Sequence, residues 1–308
     1  MIYISLKGGL GNQMFQYAAA RSVAIDTNEE ITLNLENLNN SKIAHETYTL
    51  DNLNINPNVK ISNKKINFST KQRVIYEILN SKGANYLSYK FVKINDYLEN
   101  FFQKALNKNG FYQVTAGYIP IKINNTKIKF FNGYFQSDKY FKKNFSIIRQ
   151  ELLIKGKPTN KNKIIIDKMK ATNSVCVHIR RGDYAYLKNY QVCSIAYYLK
   201  AMEIIKEKIK EPKFYIFSDD IEWVKKNIKF CSDVTYVDQN NTSYEELRLM
   251  YSCKHFIISN SSFSWWAQYL STNKNKVVIS PNIWYQDKNQ PQDMILDYFT
   301  TIDVSKLN

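Results

Sequence analysis

In the C-terminal half of the chain, segments with the composition of buried strands alternate strictly with segments of helical periodicity. The predicted strands are Val175–Ile179, Lys213–Phe217, Val234–Val237, His255–Ile258 and Lys276–Pro281. The predicted helices that separate them are Ile195–Ile209, Ile221–Lys229, Tyr244–Tyr251 and Phe263–Leu270. Parallel strands need long crossover connections, so strict alternation indicates a parallel sheet covered by helices on both faces. We therefore predict an α/β fold for this half.

The N-terminal half opens with a predicted strand, a glycine-rich segment and a helix. Met1–Leu6 is apolar, Lys7–Gln13 contains three glycines, and Met14–Ala24 has apolar residues at helical spacing. The glycines do not match the dinucleotide-binding fingerprint, because Met14 occupies the third glycine position. Two interpretations stay open. Either the backbone approaches a ligand at the helix N-terminus, or a tight turn packs the first helix on the first strand.

The rest of the N-terminal half contains fewer recognisable elements. We predict strands at Glu30–Leu35 and Lys129–Phe135, and helices at Gln72–Leu79 and Asp138–Leu153, the last capped by Ser137 or Asp138. The remainder of residues 36–125 has no clean period, and its elements are not predicted. The polar segment Gly156–Asn162 is predicted to be a linker. It divides the chain into a domain of residues 1–155 and a domain of residues 156–308.

Polar side chains occur at the ends of three predicted strands in the C-terminal half. The three sets are His178, Arg180, Arg181, Gly182 and Asp183; Ser218, Asp219 and Asp220; and Ser259, Asn260, Ser261 and Ser262. The carboxyl ends of parallel strands lie at the same edge of a sheet, and ligands of open α/β sheets bind there. We therefore expect the three sets to converge on one ligand.

The adjacent arginines are the most informative residues of this edge. A guanidinium keeps its charge, and its planar fork can contact a diphosphate at two points. The alternative is a surface turn in which Arg181 pairs with Asp183. An Arg-Gly-Asp adhesion tripeptide is less compatible with the sequence, because it needs an exposed flexible loop and these residues directly follow a buried strand.

The other two sets each have a binding and a structural interpretation. Asp219 and Asp220 can accept the N1–H and amino hydrogens of a guanine, or one of them can cap the following helix. The segment Asn260–Ser262 can bind an anion at a helix N-terminus, or serve as an ordinary N-cap. Structural roles are also expected for five further residues, with a capping box predicted for the first two: Ser243, Glu246, His255, Trp265 and Trp266.

The formal net charge of +16 raises the question of an anionic partner. The lysines are scattered, whereas nucleic-acid-binding proteins usually concentrate their charge in a patch or an arm. Phosphate-bearing substrates and an anionic membrane surface are also compatible with this charge. A basic nucleic-acid-binding protein without catalysis is the alternative to an enzyme. A sugar-binding module is a third class, although such a module needs no arginine pair.

Metal ligands and targeting segments are not recognisable in the sequence. The three histidines and four cysteines form neither a zinc-ligand pattern nor a C-x-x-C pair. Free thiols favour a reducing compartment, and Met1 leads directly into a strand without a signal peptide. No apolar run approaches the ~20 residues of a membrane span. We expect a cytoplasmic protein with at most peripheral membrane attachment.

Three segments together resemble a known enzyme family. They are Gly8–Tyr17, His178–Tyr184 and Asn260–Trp266. The set resembles the bacterial-type α-1,2-fucosyltransferases of glycosyltransferase family 11. This resemblance implies inverting transfer of L-fucose from GDP-β-L-fucose to the 2-hydroxyl of a terminal galactose on a glycan. It also implies a GT-B architecture, in which two Rossmann-like domains face a cleft, the C-terminal domain binds the donor and the N-terminal domain binds the acceptor.

The resemblance also implies roles for individual residues. Arg180 and Arg181 match the diphosphate-binding arginines of the family. Asp183 completes the predicted catalytic set, but nearby guanidiniums stabilise its ionised form, so we expect it to position other groups rather than to take a proton. The residues expected to bind the donor are Gly9, Gly11, Asn12, Gln13, His178, Asp219, Asp220, Asn260, Ser261, Ser262 and Phe263.

The expected partners follow from the same resemblance. They are GDP-fucose as the donor substrate and a galactose-terminated glycan as the acceptor, without nucleic acid. No cofactor and no metal ion are expected. The expected location is the cytoplasm, and peripheral contact with the inner membrane is compatible with it.

We predict that turnover needs no divalent cation. Metal-dependent nucleotide-sugar enzymes commonly use spaced carboxylates, whereas only the adjacent pair Asp219 and Asp220 occurs at a strand end here. Arginine and helix N-terminal amides then have to stabilise the departing diphosphate. After exhaustive chelation, transfer in excess EDTA should proceed at the untreated rate. Complete loss of turnover that Mn²⁺ or Mg²⁺ restores would contradict this prediction.

Overall fold

The computed structural model describes residues 1–40, 47–80, 103–114, 117–230, 233–238, 241–287 and 290–307. The chain forms two compact units. The N-terminal unit comprises Met1–Gly8, Phe15–Tyr48 and Asn56–Ile148. The C-terminal unit comprises Gly9–Met14, Thr49–Ile55 and Arg149–Asn308. The division predicted between residues 155 and 156 therefore falls inside the C-terminal unit.

A five-stranded parallel sheet forms the centre of the N-terminal unit. Its strands are β1 (Ile2–Ser5), β2 (Ile31–Asn34), β3 (Lys60–Ser62), β4 (Phe111–Val114) and β5 (Lys129–Gly133), in the spatial order β3-β2-β1-β5-β4. The apolar side chains of β1 and β2, such as Ile4 and Leu33, are completely buried. Strands β1, β2 and β5 confirm the prediction. Strands β3 and β4 lie in the region without a clean period and were not predicted.

In the described N-terminal part of the chain, four helices with defined bounds at both ends accompany these strands, and residues 103–108 are also helical. The four are α1 (Leu10–Thr27), α2 (Glu36–Asn39), α3 (Thr70–Asn80) and α4 (Phe145–Glu151). Helix α1 begins at Leu10 rather than Met14, because the amides of Asn12 and Gln13 already donate to the Gly9 carbonyl at 3.0 and 3.1 Å. The continuous helix predicted over Asp138–Leu153 is wrong.

The segment before α4 contains two 3-10 turns. They are Asp138–Tyr140 and Lys142–Asn144, and only the last part of the predicted helix is α-helical. Ser137 Oγ accepts from the Lys139 amide, so the predicted capping residue caps a 3-10 turn. A local side-chain bond to the backbone therefore stabilises the tight turn here.

A six-stranded parallel sheet forms the centre of the C-terminal unit. Its strands are β6 (Asn173–Ile179), β7 (Pro212–Ser218), β8 (Val234–Tyr236), β9 (His255–Ile257), β10 (Val278–Pro281) and β11 (Thr300–Ile302), in the order β11-β10-β9-β6-β7-β8. The predicted α/β fold with parallel sheets is confirmed. Strand β11 was missed, because no helix of the usual crossover length precedes it.

The last four helices of this unit agree closely with the prediction, whereas the first was not predicted. In chain order the helices are α5 (Asn160–Ala171), α6 (Ile195–Lys208), α7 (Ile221–Asn227), α8 (Ser243–Tyr251) and α9 (Ser262–Leu270). The predicted linker is partly helical, since Thr159 caps α5 by accepting from the Asn162 amide. The predicted capping box of α8 is wrong. The N-cap residue of α8 is Thr242, and its side chain makes no capping bond.

Strand β6 presents two chemically different faces. Val175, Val177 and Ile179 are buried in the apolar core that includes the side chains of α6. The alternate residues Cys176 and His178 face the opposite side, where they meet Cys253 and Ser259. Because side chains alternate along a strand, the next residue on this second face is Arg180. The strand thus directs one arginine toward the polar edge of the sheet.

Within the described ranges, no helix is long and apolar enough to cross a membrane.

Candidate functional site

Three loops meet at the carboxyl edge of the C-terminal sheet. Strand β6 lies between β9 and β7, so the residues that follow these strands are neighbours in space. Arg180 follows β6, Asp219 follows β7, and Ser259 lies just after β9. The structure therefore brings together the three polar sets at one edge, in the way that the alternating pattern predicts.

Arg180 is held between two carboxylates. Its Nη2 donates to Asp183 Oδ1 at 2.5 Å, and its Nη1 lies 2.7 Å from Asp219 Oδ2. Its guanidinium also lies over the ring of Tyr184, with Cζ 5.3 Å from the ring centroid. Burial by itself lowers the pKa of Arg180, but the charges of Asp219 and Asp183 outweigh it and raise that pKa. The arginine is thus permanently charged, and it is held by one hydrogen bond to Asp183 and an ion pair with Asp219.

Arg181 has a different environment. Its backbone N–H donates to Asp219 Oδ1 at 2.8 Å, and its Nε lies 3.4 Å from Asp220 Oδ2. Its guanidinium carbon lies 3.4 Å from the centroid of the Trp223 ring on α7. The surface-turn alternative assigned the ion pair with Asp183 to this residue. In the structure Arg180 makes that pair, and Arg181 is directed toward α7.

Both acids after β7 already accept intramolecular hydrogen bonds. Asp219 Oδ1 accepts from the Arg181 backbone amide, and Asp219 Oδ2 forms an ion pair with Arg180 Nη1 at 2.7 Å. Asp220 is the N-cap of α7, because its Oδ1 accepts from the Trp223 amide at 3.3 Å. The capping interpretation is therefore confirmed for one of the two residues. Gly182 allows this arrangement, since a Cβ at that position would collide with Asp219 Oδ2.

His178 is buried and uncharged. Its Nδ1 lies 3.0 Å from Ser259 Oγ, and its ring centroid lies 5.8 Å from that of Phe263. Burial, and then the positive charge of Arg180, lower the pKa of His178 to about 3. At neutral pH the imidazole therefore offers one donor and one acceptor rather than a positive charge.

The segment before α9 is tightly bonded to neighbouring loops. The side-chain Nδ2 of Asn260 donates to the backbone carbonyls of Tyr190 and Trp284 at 3.1 and 2.9 Å. The backbone carbonyl of Asn260 accepts from Tyr184 Oη at 3.2 Å. Ser261 Oγ accepts from the Phe263 amide, so the N-cap interpretation is confirmed for Ser261. The Asn260 side chain thus fixes the loop after the arginines.

The glycine-rich segment packs against the start of α9. The Gly11 carbonyl accepts from Trp266 Nε1 at 2.9 Å. A Cβ at Gly11 would lie 2.7 Å from Ser262 C and from Phe263 N, which is closer than real contacts allow. The absence of a side chain at Gly11 therefore lets its backbone pack closely against the start of α9. The turn interpretation had assigned this packing to the first strand.

The neighbours of Gly11 have defined structural contacts. Gln13 is completely buried, and its Oε1 accepts from the Thr49 amide at 3.2 Å. The Gly9 carbonyl accepts the first amide bonds of α1, including that of Asn12. Binding of the donor substrate GDP-fucose by Gly9, Gly11, Asn12 and Gln13 stays a prediction.

Glu246, for which the sequence predicted only a capping role, is electrostatically coupled to Asp219 and Arg180. It is half-buried on α8, and its carboxylate accepts no hydrogen bond from the residues that the structure describes. Burial, and then the negative charge of Asp219, raise the pKa of Glu246 to about 7, although Arg180 partly opposes this. Sequence alone does not distinguish it from Glu245, because acidic residues are common in the first turn of any helix.

A metal centre is not formed by the described part of the chain. Within those residues, no group of three or more His, Cys, Asp or Glu side chains could hold a metal ion. Metal-independent turnover stays a prediction that the EDTA assay tests.

Comparison with known proteins identifies the family. The sequence matches the profile of Glycosyl transferase family 11 over residues 1–300. The chain belongs to glycosyltransferase family 11. The predicted family is thereby confirmed, and membership favours an enzyme over the nucleic-acid-binding and sugar-binding-module alternatives.

Similar proteins of this family carry out related transfers. The chain is 32% identical over 298 residues to an alpha-1,2-colitosyltransferase of Escherichia coli, covering 93% of each protein. It is 29% identical over 312 residues to the O-antigen biosynthesis glycosyltransferase WbnK of Escherichia coli, covering 94% of this chain and 96% of WbnK. A galactoside 2-alpha-L-fucosyltransferase of Caenorhabditis elegans is 31% identical over 175 residues, covering 53% of this chain and 46% of that one.

Solved structures of fucosyltransferases are also similar to this chain. The crystal structure of NodZ alpha-1,6-fucosyltransferase soaked with GDP-fucose superposes with a TM-score of 0.47 and 13% identity. That similarity covers 93% of this chain and 97% of NodZ.

We predict that Glu246 lowers the stability of the folded protein at neutral and alkaline pH. Its folded-state pKa of about 7 lies above the ordinary value of 4.5. Between these values the folded state binds more protons than the unfolded state, so stability falls as pH rises. Above pH 7, E246Q should be more stable than the parent by roughly 1–2 kcal/mol, allowing for partial exposure to water. The difference should disappear below about pH 4.5.

Urea unfolding of both proteins at pH 5 and pH 8 measures this difference. The same substitution at exposed Glu207 on α6 controls for the loss of one negative charge. Identical pH dependence in the parent and in E246Q would contradict the prediction.

Proposed function

We propose that this glycosyltransferase transfers L-fucose from GDP-β-L-fucose to the 2-hydroxyl of a terminal galactose on a glycan, with inversion. The observation that carries the proposal is the charged Arg180, fixed by Asp183 and Asp219 at the edge where α/β sheets bind ligands. The names of the relatives support an α-1,2 linkage, since they include a colitosyltransferase and fucosyltransferases. Transfer of colitose is the second candidate, favoured by the first of these names.

In this proposal Arg180 stabilises the diphosphate as the sugar departs. Its remaining N–H donors can bind phosphate oxygens, and the ion pairs to two acids keep the guanidinium in place before the ligand arrives. Preorganised donors of this kind need no reorganisation when negative charge develops. Asp183 then acts as the residue that positions Arg180, rather than as the base.

Two helix N-termini supply further positive potential. The first turn of α1 lies against the first turn of α9, where Gly11 contacts Ser262 and Phe263. Neither helix has an acidic residue in its first turn. Each N-terminus carries roughly half a positive charge, so two of them side by side favour an anion between or beside them. In the proposed reaction this potential adds to the charge of Arg180 at the diphosphate.

We further propose that Glu246 accepts hydrogen bonds from the guanine base. A half-buried carboxylate without hydrogen-bond donors is costly, and guanine offers two donors at N1 and the 2-amino group. Asp219 and Asp220, our first candidates for this role, would have to give up bonds to Arg180, Arg181 or the start of α7. We therefore favour Glu246 over the two aspartates.

We predict unequal effects of lysine at the two arginine positions. R180K keeps the charge but loses the two-point geometry, and kcat should fall by on the order of 10²–10³ with the melting temperature nearly unchanged. R181K loses the stacking on Trp223. Its melting temperature should therefore fall, while kcat should fall by only about tenfold or less.

Steady-state kinetics with GDP-fucose and lactose, together with thermal melts, measure both effects. A parallel assay with the corresponding colitose donor separates the two candidate sugars. Near-parental kcat/KM in both lysine variants would mean that the two arginines only form a turn. A larger loss of kcat in R181K than in R180K would assign diphosphate stabilisation to Arg181 instead of Arg180.

We predict that Glu246 carries the discrimination between GDP and inosine diphosphate, which lacks the 2-amino group. The parent should bind GDP more tightly by roughly 1–3 kcal/mol, the cost of losing a buried hydrogen bond. In E246Q this difference should shrink to near zero. In D219N and D220N it should persist, even if both ligands bind more weakly.

Calorimetric titration at pH 7.5 measures all eight affinities. Because guanine donors would lower the pKa of Glu246, GDP binding near pH 7 should also release protons in the parent, detected from the buffer dependence of the enthalpy. A difference that vanishes in D219N or D220N but persists in E246Q would assign the base to the aspartates.

A further inference from the structure

The loop that follows the arginines carries an unusually exposed aromatic residue. We call residues 183–192 the tyrosine loop. It contains the 3-10 turns Asp183–Ala185 and Lys188–Tyr190, and between them Tyr186 is 87% exposed and Leu187 is 46% exposed. An apolar tip of this kind gains nothing from the core of the protein. Its exposure therefore needs another explanation.

The base of the tyrosine loop is firmly attached to the sheet edge. Tyr184 Oη donates to the backbone carbonyl of Asn260 at 3.2 Å, and the side-chain Nδ2 of Asn260 donates to the backbone carbonyl of Tyr190 at 3.1 Å. Gln191 Nε2 closes the loop on itself by donating to the Ala185 carbonyl at 2.7 Å. The tip is thus presented by a fixed base.

A second segment braces the far side of the loop. The Gln286 amide donates to the Asn189 carbonyl at 2.9 Å, and Asn189 Nδ2 donates to Asp287 Oδ2 at 3.0 Å. The rings of Tyr190 and Tyr285 meet edge to face at 5.2 Å. Bracing from two sides orders the backbone around Tyr186 before any ligand binds, which lowers the entropy cost of binding there.

The tip lies one tight turn from the residue that holds Arg180. The amides of Tyr186 and Leu187 donate to the Asp183 carbonyl at 3.1 and 3.2 Å. The Asp183 carboxylate in turn accepts from Arg180 at 2.5 Å. The backbone of the tip is therefore tied directly to the residue whose side chain pairs with Arg180, the diphosphate-binding arginine of the proposed function.

We infer that Tyr186, supported by Leu187, is a stacking platform for the pyranose ring of the acceptor glycan. This inference rests on the proposed function. A pyranose has one face of C–H groups that can cover an aromatic ring, while its hydroxyls keep their bonds to water. An exposed tyrosine on a braced backbone offers such an amphipathic surface at low entropy cost. The acceptor would then be oriented by apolar contact before its hydroxyl reacts.

Acceptor kinetics with lactose test the platform. In Y186A the KM for lactose should rise by about tenfold, while kcat stays within about twofold of the parent. Its melting temperature should equal that of the parent, because the side chain is exposed. Its GDP affinity should also be unchanged, because the proposal assigns Tyr186 to the acceptor and not to the nucleotide. Y186F should behave like the parent, since the ring rather than the hydroxyl makes the contact. I164A, an exposed apolar position on α5, is the matched control and should change nothing.

Saturation-transfer NMR measures direct binding of lactose to the GDP-loaded protein. This measurement tests the platform separately from the proposed transfer reaction. Parental lactose KM in Y186A, or an equal loss of GDP affinity, overturns the platform and leaves the proposed reaction intact. A parent that binds lactose through Tyr186 but transfers no sugar to it supports the platform and overturns the proposed reaction. A parent that binds GDP but not lactose overturns the platform as stated.

Discussion

The ion pair between Arg180 and Asp219 is the contact on which the polar edge of the C-terminal sheet depends. Strands β6 and β7 are in register from Asn173 and Pro212 to Ile179 and Ser218, so the residues that follow emerge side by side. Arg180 and Asp219 therefore meet at 2.7 Å without any long loop to bring them together. A shift of register by one residue would turn every side chain of β6 to the other face and separate the pair. The valine and isoleucine side chains buried on the opposite face prevent that shift.

Position rather than residue type decides the charge of each titratable group at this edge. His178 is uncharged because it is buried beside Arg180, which lowers its pKa to about 3. Glu246 is close to half-protonated at neutral pH because burial and the charge of Asp219 raise its pKa to about 7. Arg180 remains a cation because two carboxylates offset the cost of its burial. In the function that we propose, a nucleotide adds a diphosphate to the two carboxylates around Arg180 and brings N–H donors to Glu246.

The elements that sequence predicts best are those whose pattern is both local and repeated. The β-branched strands of the C-terminal sheet and the helices between them were predicted with small errors at their ends, because burial on both faces of a parallel sheet imposes a uniform apolar composition. Strand β11 was not predicted, since the described residues between β10 and β11 contain no α-helix. Glu246 was predicted to belong to a capping box, because the sequence shows its place in the first turn of a helix but not the strand edge that the helix covers. The partner of each arginine could not be predicted either, since Arg180 and Arg181 differ only in which face of β6 they continue.

Gly11 illustrates why a motif can be recognised before its physical reason is known. The glycine is needed because the backbone of Ser262 and Phe263 lies where a Cβ would be, and Trp266 Nε1 donates to the Gly11 carbonyl at 2.9 Å. The two segments are about 250 residues apart in the sequence, so neither predicts the other. Packing two helix N-termini this closely would be unfavourable by itself, because both carry positive partial charge and neither has an acidic residue in its first turn. In the function that we propose, the diphosphate offsets this repulsion, and the first and the last of the three motifs then serve one chemical requirement.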